Sequence, residues 1–472
     1  MSKLNGRQTN SDDILQNSSK TLLRHHNILH ESDWLQNGTY TPFKKEKIDG
    51  LRAAMDYCNS PYKGQTSKEG DIIEGFKLRN VHVFIHHGDS TSNHRSDWFG
   101  PELFNCKFRT DNNTKFKQFP DHMDRMAGKQ GIRNHFLNWA LYPDKDLCAD
   151  SMLTSKGALQ HLMLGQSLFE TYTLNKDLFN EKLSINSQVY VKSTSSSRVY
   201  QSTVAFLYGF LPKFNISNMK IENSPDLHFC TKQFAVQKSC YCKYANKLKI
   251  KSMKIQSKCK GYDAVEKKHS DIMKEVFGNG ILPSDFAMAE AIMPLFCHDI
   301  TIPCWLSLSD KNCEEFLSDI WSAVIAQERA RYNDHNLYYL KYSSIVMTPI
   351  LIEIINRIKN IVENRHTPKF ILYSGQESTL SPLLYVFSLQ DGKWPPYASR
   401  VVIELYEHLG NISKNRFFLR FLYNGKDKTD SVIFCKGLTF KGLCSLRYFT
   451  DFVFTKMLRR FGFNSYYDAC SR

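Results

Sequence analysis

Short apolar runs alternate along the chain with longer stretches of helical period. Asn80–Ile85 is rich in β-branched residues and reads as a strand. Ser155–Tyr172 carries apolar residues at helical spacing. Gln188–Lys192 is strand-like again, and Arg198–Phe210 is helical and stopped by Pro212. Further on, the pattern predicts a helix over Leu337–Ile361, a strand over Lys369–Tyr373 and a helix over Leu380–Leu389. Strands follow at Arg400–Leu405 and Arg416–Tyr423. Strands and helices taken in turn argue for a layered α/β sheet, whose ligands bind beyond the carboxyl ends of strands. Three polar turns stand at such ends: HHGDS after 80–85, STSSSR after 188–192 and SGQES after 369–373.

Two stretches break this rhythm. Residues 1–45 are polar, without periodicity, and read as a flexible tail. Residues 213–315 hold seven of the thirteen cysteines and the lysine run KYANKLKIKSMKIQSKCK, and read as an inserted cap between two halves of a core, 46–212 and 316–472. The stretch Ser344–Val362 reads as a packed helix rather than a membrane binder.

The 472 residues are 42% hydrophobic, enough for a sizeable core. The net charge of +15 favours anionic partners such as nucleic acid, a membrane surface or an acidic glycan. No nucleic-acid-binding module is recognisable. The lysine run Lys243–Lys260 is a solvated face or a place to capture acidic glycan. No run of about 18 apolar residues encodes a membrane span, and no CxxC pair supports a zinc ribbon. Scattered cysteines and five N-x-S/T sequons, at Asn17, Asn37, Asn112, Asn215 and Asn411, favour an oxidising secretory setting. The N-terminal residues form no signal peptide, so either the protein is cytosolic or a leader or anchor is missing from this sequence.

The three turns, in order and spacing, resemble the histidine acid phosphatase family. The likeness is carried by MDYCN (Met55–Asn59), NVHVFIHHGD (Asn80–Asp89), LTSKGALQH (Leu153–His161) and SRVYQS (Ser197–Ser202). It continues through LYGFLP (Leu207–Pro212), FC…SCYC (Phe229–Cys242), CHDITIPC (Cys297–Cys304), LYSGQESTLSP (Leu372–Pro382), LYNG (Leu422–Gly425) and YYDAC (Tyr466–Cys470). The resemblance implies an α/β histidine-phosphatase, phosphoglycerate-mutase-like fold, with a central mixed sheet flanked by helices and a mainly helical inserted cap. It also implies a covalent mechanism in which a histidine attacks phosphorus, arginines clamp the oxygens and an acid protonates the leaving alcohol. Neither metal nor cofactor is implied. Seven cysteines inside the matching segments suggest a shared disulfide framework, and Cys259, outside them, is the candidate free thiol.

Carried over position by position, the nucleophile is His87 and the retained phosphate clamp is Arg198. The other two phosphate-binding arginines are replaced by His86 and Ser90, and the loop proline by Ser92. In the late motif Gln376 replaces a phosphate-contacting histidine and Glu377 replaces the acid aspartate. Guanidinium forks match phosphate oxygens as other cations do not. One arginine is worth about 10³–10⁵ in rate at a phosphoryl transition state, so the depleted set is expected to leave activity weak or lost. Within the family the likeness is strongest to members that remove phosphate from xylose in the glycosaminoglycan–protein linkage region of proteoglycans. That implies a phosphorylated sugar as partner and a Golgi-lumenal or secreted location. The competing expectation is a pseudophosphatase that binds phosphorylated or sulfated glycan without hydrolysing it.

Overall fold

The computed structural model describes residues 50–59, 67–91, 116–127, 135–136, 139–142, 151–174, 178–179, 184–211, 213–234, 240–256, 293–298, 310–331, 337–410 and 416–472. The N-terminal stretch 1–45, the sequons other than Asn215, Ser92 and Cys259 lie outside them.

The described chain opens with helix α1 (Gly50–Cys58) and strand β1 (Phe76–His86), followed by helices α2 (Phe119–Met126) and α3 (Ser155–Phe169). Strand β2 (Val189–Thr194), helix α4 (Ser197–Phe210) and strand β3 (Ile221–Ser224) come next, then helices α5 (Lys243–Gln256), α6 (Asp310–Arg331) and α7 (Leu337–Val362). Strand β4 (Phe370–Gly375) leads into helix α8 (Glu377–Phe387), and strands β5 (Arg400–His408) and β6 (Phe417–Tyr423) complete the larger elements. The two-residue strands β7 (Lys426–Asp427) and β8 (Cys444–Ser445) both pair with β6.

The strands form one mixed sheet in the order β3-β2-β4-β1-β5-β6-β7. β3, β2, β4 and β1 run parallel, whereas β5 and β6 are antiparallel to their neighbours. Period-two alternation sends Val81, Val83 and Ile85 of β1 to one face and Phe84 to the other. On the first face they meet Leu162 and Leu168 of α3 and Phe206 and Phe210 of α4; on the second, Ile345 and Ile354 of α7 and Leu383 and Phe387 of α8. The result is the helix–sheet–helix layering expected of the sequence. Ser344–Val362 is indeed a packed helix, with most of its apolar residues buried. Among the described residues no helix is long and apolar enough to cross a membrane.

Several boundaries shift by a few residues from those the sequence predicts, and three differences have a visible physical reason. β1 starts four residues earlier, at Phe76, where Leu78 and Tyr406 pair ahead of a register shift. α8 starts at Glu377 rather than 380, because the Thr379 hydroxyl accepts the Gln376 backbone N–H at 3.1 Å and so opens the helix there. The stretch 213–315 is not set apart from the sheet throughout: β3 lies within it and pairs with β2. Of the lysine run, the described part Lys243–Gln256 is a helix with one buried face, α5, set against α7.

Four disulfides join described residues: Cys58–Cys297, Cys230–Cys240, Cys242–Cys470 and Cys435–Cys444. Three of them use cysteines of the matching segments; Cys435 and Cys444 carried no signal in the sequence reading.

Candidate active site

The topology brings the three polar turns together. β2, β4 and β1 are adjacent and parallel, so their carboxyl ends open on one edge of the sheet. β1 ends at His86 and leads into His87, β2 leads into Arg198 in the first turn of α4, and β4 leads into Gln376 and Glu377 at the start of α8. His86, His87, Ser90, Arg198, Gln376 and Glu377 all line a single cavity of about 110 Å³. Both helices point their N-termini at it, where exposed backbone N–H groups and the helix dipole favour an anion.

Backbone hydrogen bonds hold the histidine loop. His86 N–H donates to the Ser399 carbonyl at 2.9 Å and His87 N–H to the Gly375 carbonyl at 3.1 Å. Gly88 N–H donates to the Ser202 hydroxyl at 3.1 Å, which ties the loop to α4. At Gly88 the chain passes so close to α3 that an added Cβ would lie 2.4 Å from the Gly157 carbonyl oxygen. A side chain at Gly157 would in turn strike the Asp89 carbonyl. Small residues at both places are the condition for this contact.

Asp89 is fully buried and acts as the loop's anchor. Its carboxyl group accepts the Thr154 hydroxyl at 2.7 Å and meets Nε2 of His298, while its N–H donates to Gln160 Oε1 at 2.8 Å. Thr154 is also the N-cap of α3, so one residue starts that helix and fixes the loop. The sequence reading assigned Asp89 no role. Its place directly after the histidines and glycine was the available signal.

His87 Nδ1 lies 2.7 Å from the Gly88 carbonyl oxygen. A carbonyl only accepts, so Nδ1 carries the proton and Nε2 keeps its lone pair for attack on an electrophile. Burial pushes the His87 pKa well below its ordinary value, assisted by the neighbouring His86 and the Arg198 charge. His86 Nδ1 lies 2.8 Å from the Pro396 carbonyl oxygen and likewise donates. Burial lowers its pKa to about 4; Arg198 acts in the same direction, and the Pro396 bond and Glu377 offset part of the effect. At ordinary pH both imidazoles are therefore neutral. Among the described lining residues Arg198 is the one guanidinium.

Glu377 is held from two sides. The Ser381 hydroxyl donates to its Oε1 at 2.5 Å, and Arg331 at the end of α6 reaches the same oxygen at 3.4 Å. Arg331 is a finding of the structure, since nothing in the sequence links it to the turn at 376–377. Beside Thr91 and Ser378, the rest of the cavity wall is aromatic: Tyr57 from α1 stacks on Trp394 with ring centroids 5.1 Å apart and lies 4.6 Å from Tyr397. Tyr57 sits in a matching segment, but the stretch WPPY that supplies Trp394 and Tyr397 lies outside the matching segments.

The family model described as histidine phosphatase superfamily (branch 2) matches residues 77–424. The chain belongs to this superfamily. Proteins that it resembles include 2-phosphoxylose phosphatase 1 of Mus musculus and of Homo sapiens. Each is 31% identical over 439 residues, covering 90% of this chain and 87% of the relative. Among solved structures, the phytase from D. castellii superposes with a TM-score of 0.52 at 16% identity, over 94% of this chain and 93% of that one. That likeness supports the histidine-phosphatase fold, and the mixed sheet flanked by helices is the architecture expected from the sequence.

Proposed function

We infer that the chain binds a phosphorylated sugar in the cavity at the ends of β1, β2 and β4, and that its phosphomonoesterase activity is weak or lost. His87 is the nucleophile of this reading: Nε2 forms a bond to phosphorus as the ester P–O bond breaks, and the departing oxygen takes a proton from Glu377. Water then attacks the phosphohistidine, gives a proton to Glu377 and releases orthophosphate, which restores both groups. Arg198 holds the non-bridging oxygens, with Ser90 and Gln376 as neutral donors; the single N–H of neutral His86 is committed to the Pro396 carbonyl, so His86 donates to phosphate only when protonated. The two helix N-termini add partial positive charge.

The observation that carries the reading is the meeting of His87 and Arg198 in one cavity with two neutral imidazoles and no second guanidinium among the described lining residues. A phosphomonoester brings nearly two negative charges, and phosphoryl transfer depends on positioning and charge stabilisation. One guanidinium suffices to bind such a group and stabilises the transition state poorly. The relatives named for phosphoxylose support a pentose phosphate as the ligand, and the disulfides support a secretory, Golgi-lumenal or secreted, location. The low pKa of His86 favours the second reading as well, that of a pseudophosphatase which only binds.

The test measures binding of xylose 2-phosphate by calorimetry beside hydrolysis of p-nitrophenyl phosphate. Binding that Arg198→Ala removes, with little turnover and none in His87→Ala, is the expected result. Turnover as fast as that of an ordinary acid phosphatase refutes the impairment. Failure to bind either xylose 2-phosphate or orthophosphate refutes the site.

A further inference from the structure

A second cavity, larger at about 270 Å³, lies next to the first. The two meet across the opening turn of α8. Ser378 lines the first, Thr379 donates its hydroxyl to the Leu227 carbonyl at 2.7 Å, and Leu227 and His228 line the second. Nothing in the proposed reaction uses this second space.

Its walls are pinned. Cys230 and Cys240 line it and are joined by a disulfide, and Cys242, also lining it, is joined to Cys470. The Asp226 side chain accepts the backbone N–H groups of His228 at 2.9 Å and Cys230 at 3.1 Å. The Tyr342 hydroxyl and His228 Nε2 lie 3.2 Å apart. Tyrosine rings therefore share the walls with a carboxyl group and, from α5, the Asn246 amide and the Lys249 ammonium. A preformed, largely apolar hollow with a few converging polar groups is the usual form of a small-ligand site.

α5 carries charge outward from this hollow. Ala245, Leu248, Ser252 and Gln256 face the protein. The helical period places Lys243, Lys247 and Lys254 on the opposite, exposed side, a ridge about 16 Å long. Lys249 stands on the flank that lines the cavity, and Lys251 on the other, its ammonium 5.5 Å over the Tyr338 ring. The helix contains no acidic residue.

We propose that this cavity and the lysine ridge of α5 form a second binding site, for a glycan that carries sulfate or carboxylate groups. A sugar ring fits the hollow, where tyrosine faces meet its C–H surface and Asp226, Asn246 and Lys249 meet its hydroxyls. The anionic substituents of the following units lie along Lys243 and Lys247. A nucleic-acid backbone or a lipid headgroup would answer the ridge, but its phosphate is repelled from the hollow by Asp226. The site does not depend on turnover at His87, and a sulfated ligand measured in the Arg198→Ala background probes it apart from the first cavity.

Calorimetry of the full chain with a size-defined heparin tetrasaccharide, at low and moderate salt, tests the site. Lys243→Gln with Lys247→Gln is expected to weaken binding about tenfold and to reduce the salt slope by about two. Tyr241→Ala, at the exposed lip of the cavity, is expected to weaken it about fivefold with the salt slope unchanged. Both variants keep orthophosphate binding at Arg198, which separates failure here from failure of the reading above. An absence of tetrasaccharide binding by the unaltered chain overturns the proposal, as does full affinity in either variant. Binding of phosphatidylserine vesicles in place of the tetrasaccharide, weakened by the lysine substitutions, overturns it in favour of a membrane surface.

Discussion

Arg331 reaches Glu377 at 3.4 Å from a position 46 residues upstream, at the last turn of α6. The same guanidinium pairs with Glu328 at 2.9 Å and lies 4.8 Å over the Tyr339 ring, and the Arg331 carbonyl accepts the Tyr385 hydroxyl at 3.0 Å. So braced, Arg331 is a positioning residue: it fixes where the Glu377 carboxyl group stands without lining the cavity itself. Glutamate is one methylene longer than the aspartate that the resemblance leads one to expect there, and a misplacement of about 1 Å costs on the order of 100-fold in rate. Arg331→Met is expected to lower residual single-turnover hydrolysis by at least about tenfold, with orthophosphate affinity unchanged. Arg331→Lys should recover part of the loss. Equal loss of binding and turnover in Arg331→Met would show that the residue serves the fold alone.

The shortage of positive charge has its own test. His86 lies at the end of β1, and its neutral ring stands where the resemblance in sequence leads one to expect an arginine. Ser90 occupies a second such place, held by a bridge to Leu153. Restoring arginine at both, His86→Arg with Ser90→Arg, is expected to raise kcat for p-nitrophenyl phosphate by about 10³-fold or more. His86→Arg alone, which leaves the Ser90 bridge intact, should give part of that gain. If thermal unfolding shows both variants folded and neither gains turnover, missing charge is not the reason for weak activity.

Much of this arrangement was legible in the chain. The order of strands and helices gave the layering, because apolar period separates half-buried helices from buried strands whatever their distant contacts. The convergence of HHGDS, STSSSR and SGQES followed from the rule for carboxyl ends of parallel strands. Arg331, Trp394 and Tyr397 were not legible, since the contacts that give them meaning join segments without local pattern. Asp89 was in plain view but undervalued: a carboxyl group in a polar turn looks solvated until the fold buries it against Thr154 and His298. The antiparallel pairing of β5 was hidden too, because a strand buried on both faces reads alike in either direction.

Acid should destabilise this protein. Burial, with the Arg357 charge adding to it, lowers the pKa of His82 to about 3, and burial together with His86 does the same for His161. The unfolded chain binds these protons near the ordinary value of about 6.5. Their folded pKa values are depressed, so the stability is fully present above about pH 6.5 and is lost as pH falls toward 3, at about 1.4 kcal/mol per pH unit for each histidine. His82 lies in β1 away from the cavity, and neither ring nitrogen has a hydrogen-bond partner. His82→Leu is therefore expected to flatten the pH dependence by about one proton's worth between pH 6 and 4. Urea midpoints across that range check it, and an unchanged slope would place the titration elsewhere.

The disulfide Cys58–Cys297 braces the cavity from two directions. It joins the end of α1 to a segment 239 residues away. Tyr57, beside Cys58, stacks on Trp394 in the cavity wall, and His298, beside Cys297, meets the Asp89 anchor. Cys435–Cys444 spans a separation of only 9 residues, and neither cysteine lines the cavity. Loop-closure entropy gives about 5 kcal/mol for the long bridge and about 3 kcal/mol for the short one. Cys58→Ser with Cys297→Ser should therefore cost more in denaturant unfolding than Cys435→Ser with Cys444→Ser. The two pairs should differ further in orthophosphate binding, measured where both remain folded. Losing the long bridge releases Tyr57 and His298 together and weakens binding, whereas losing the short one leaves it intact. Equal binding in the two variants would mean that the cavity is held by the sheet ends alone, with the bridge contributing only stability.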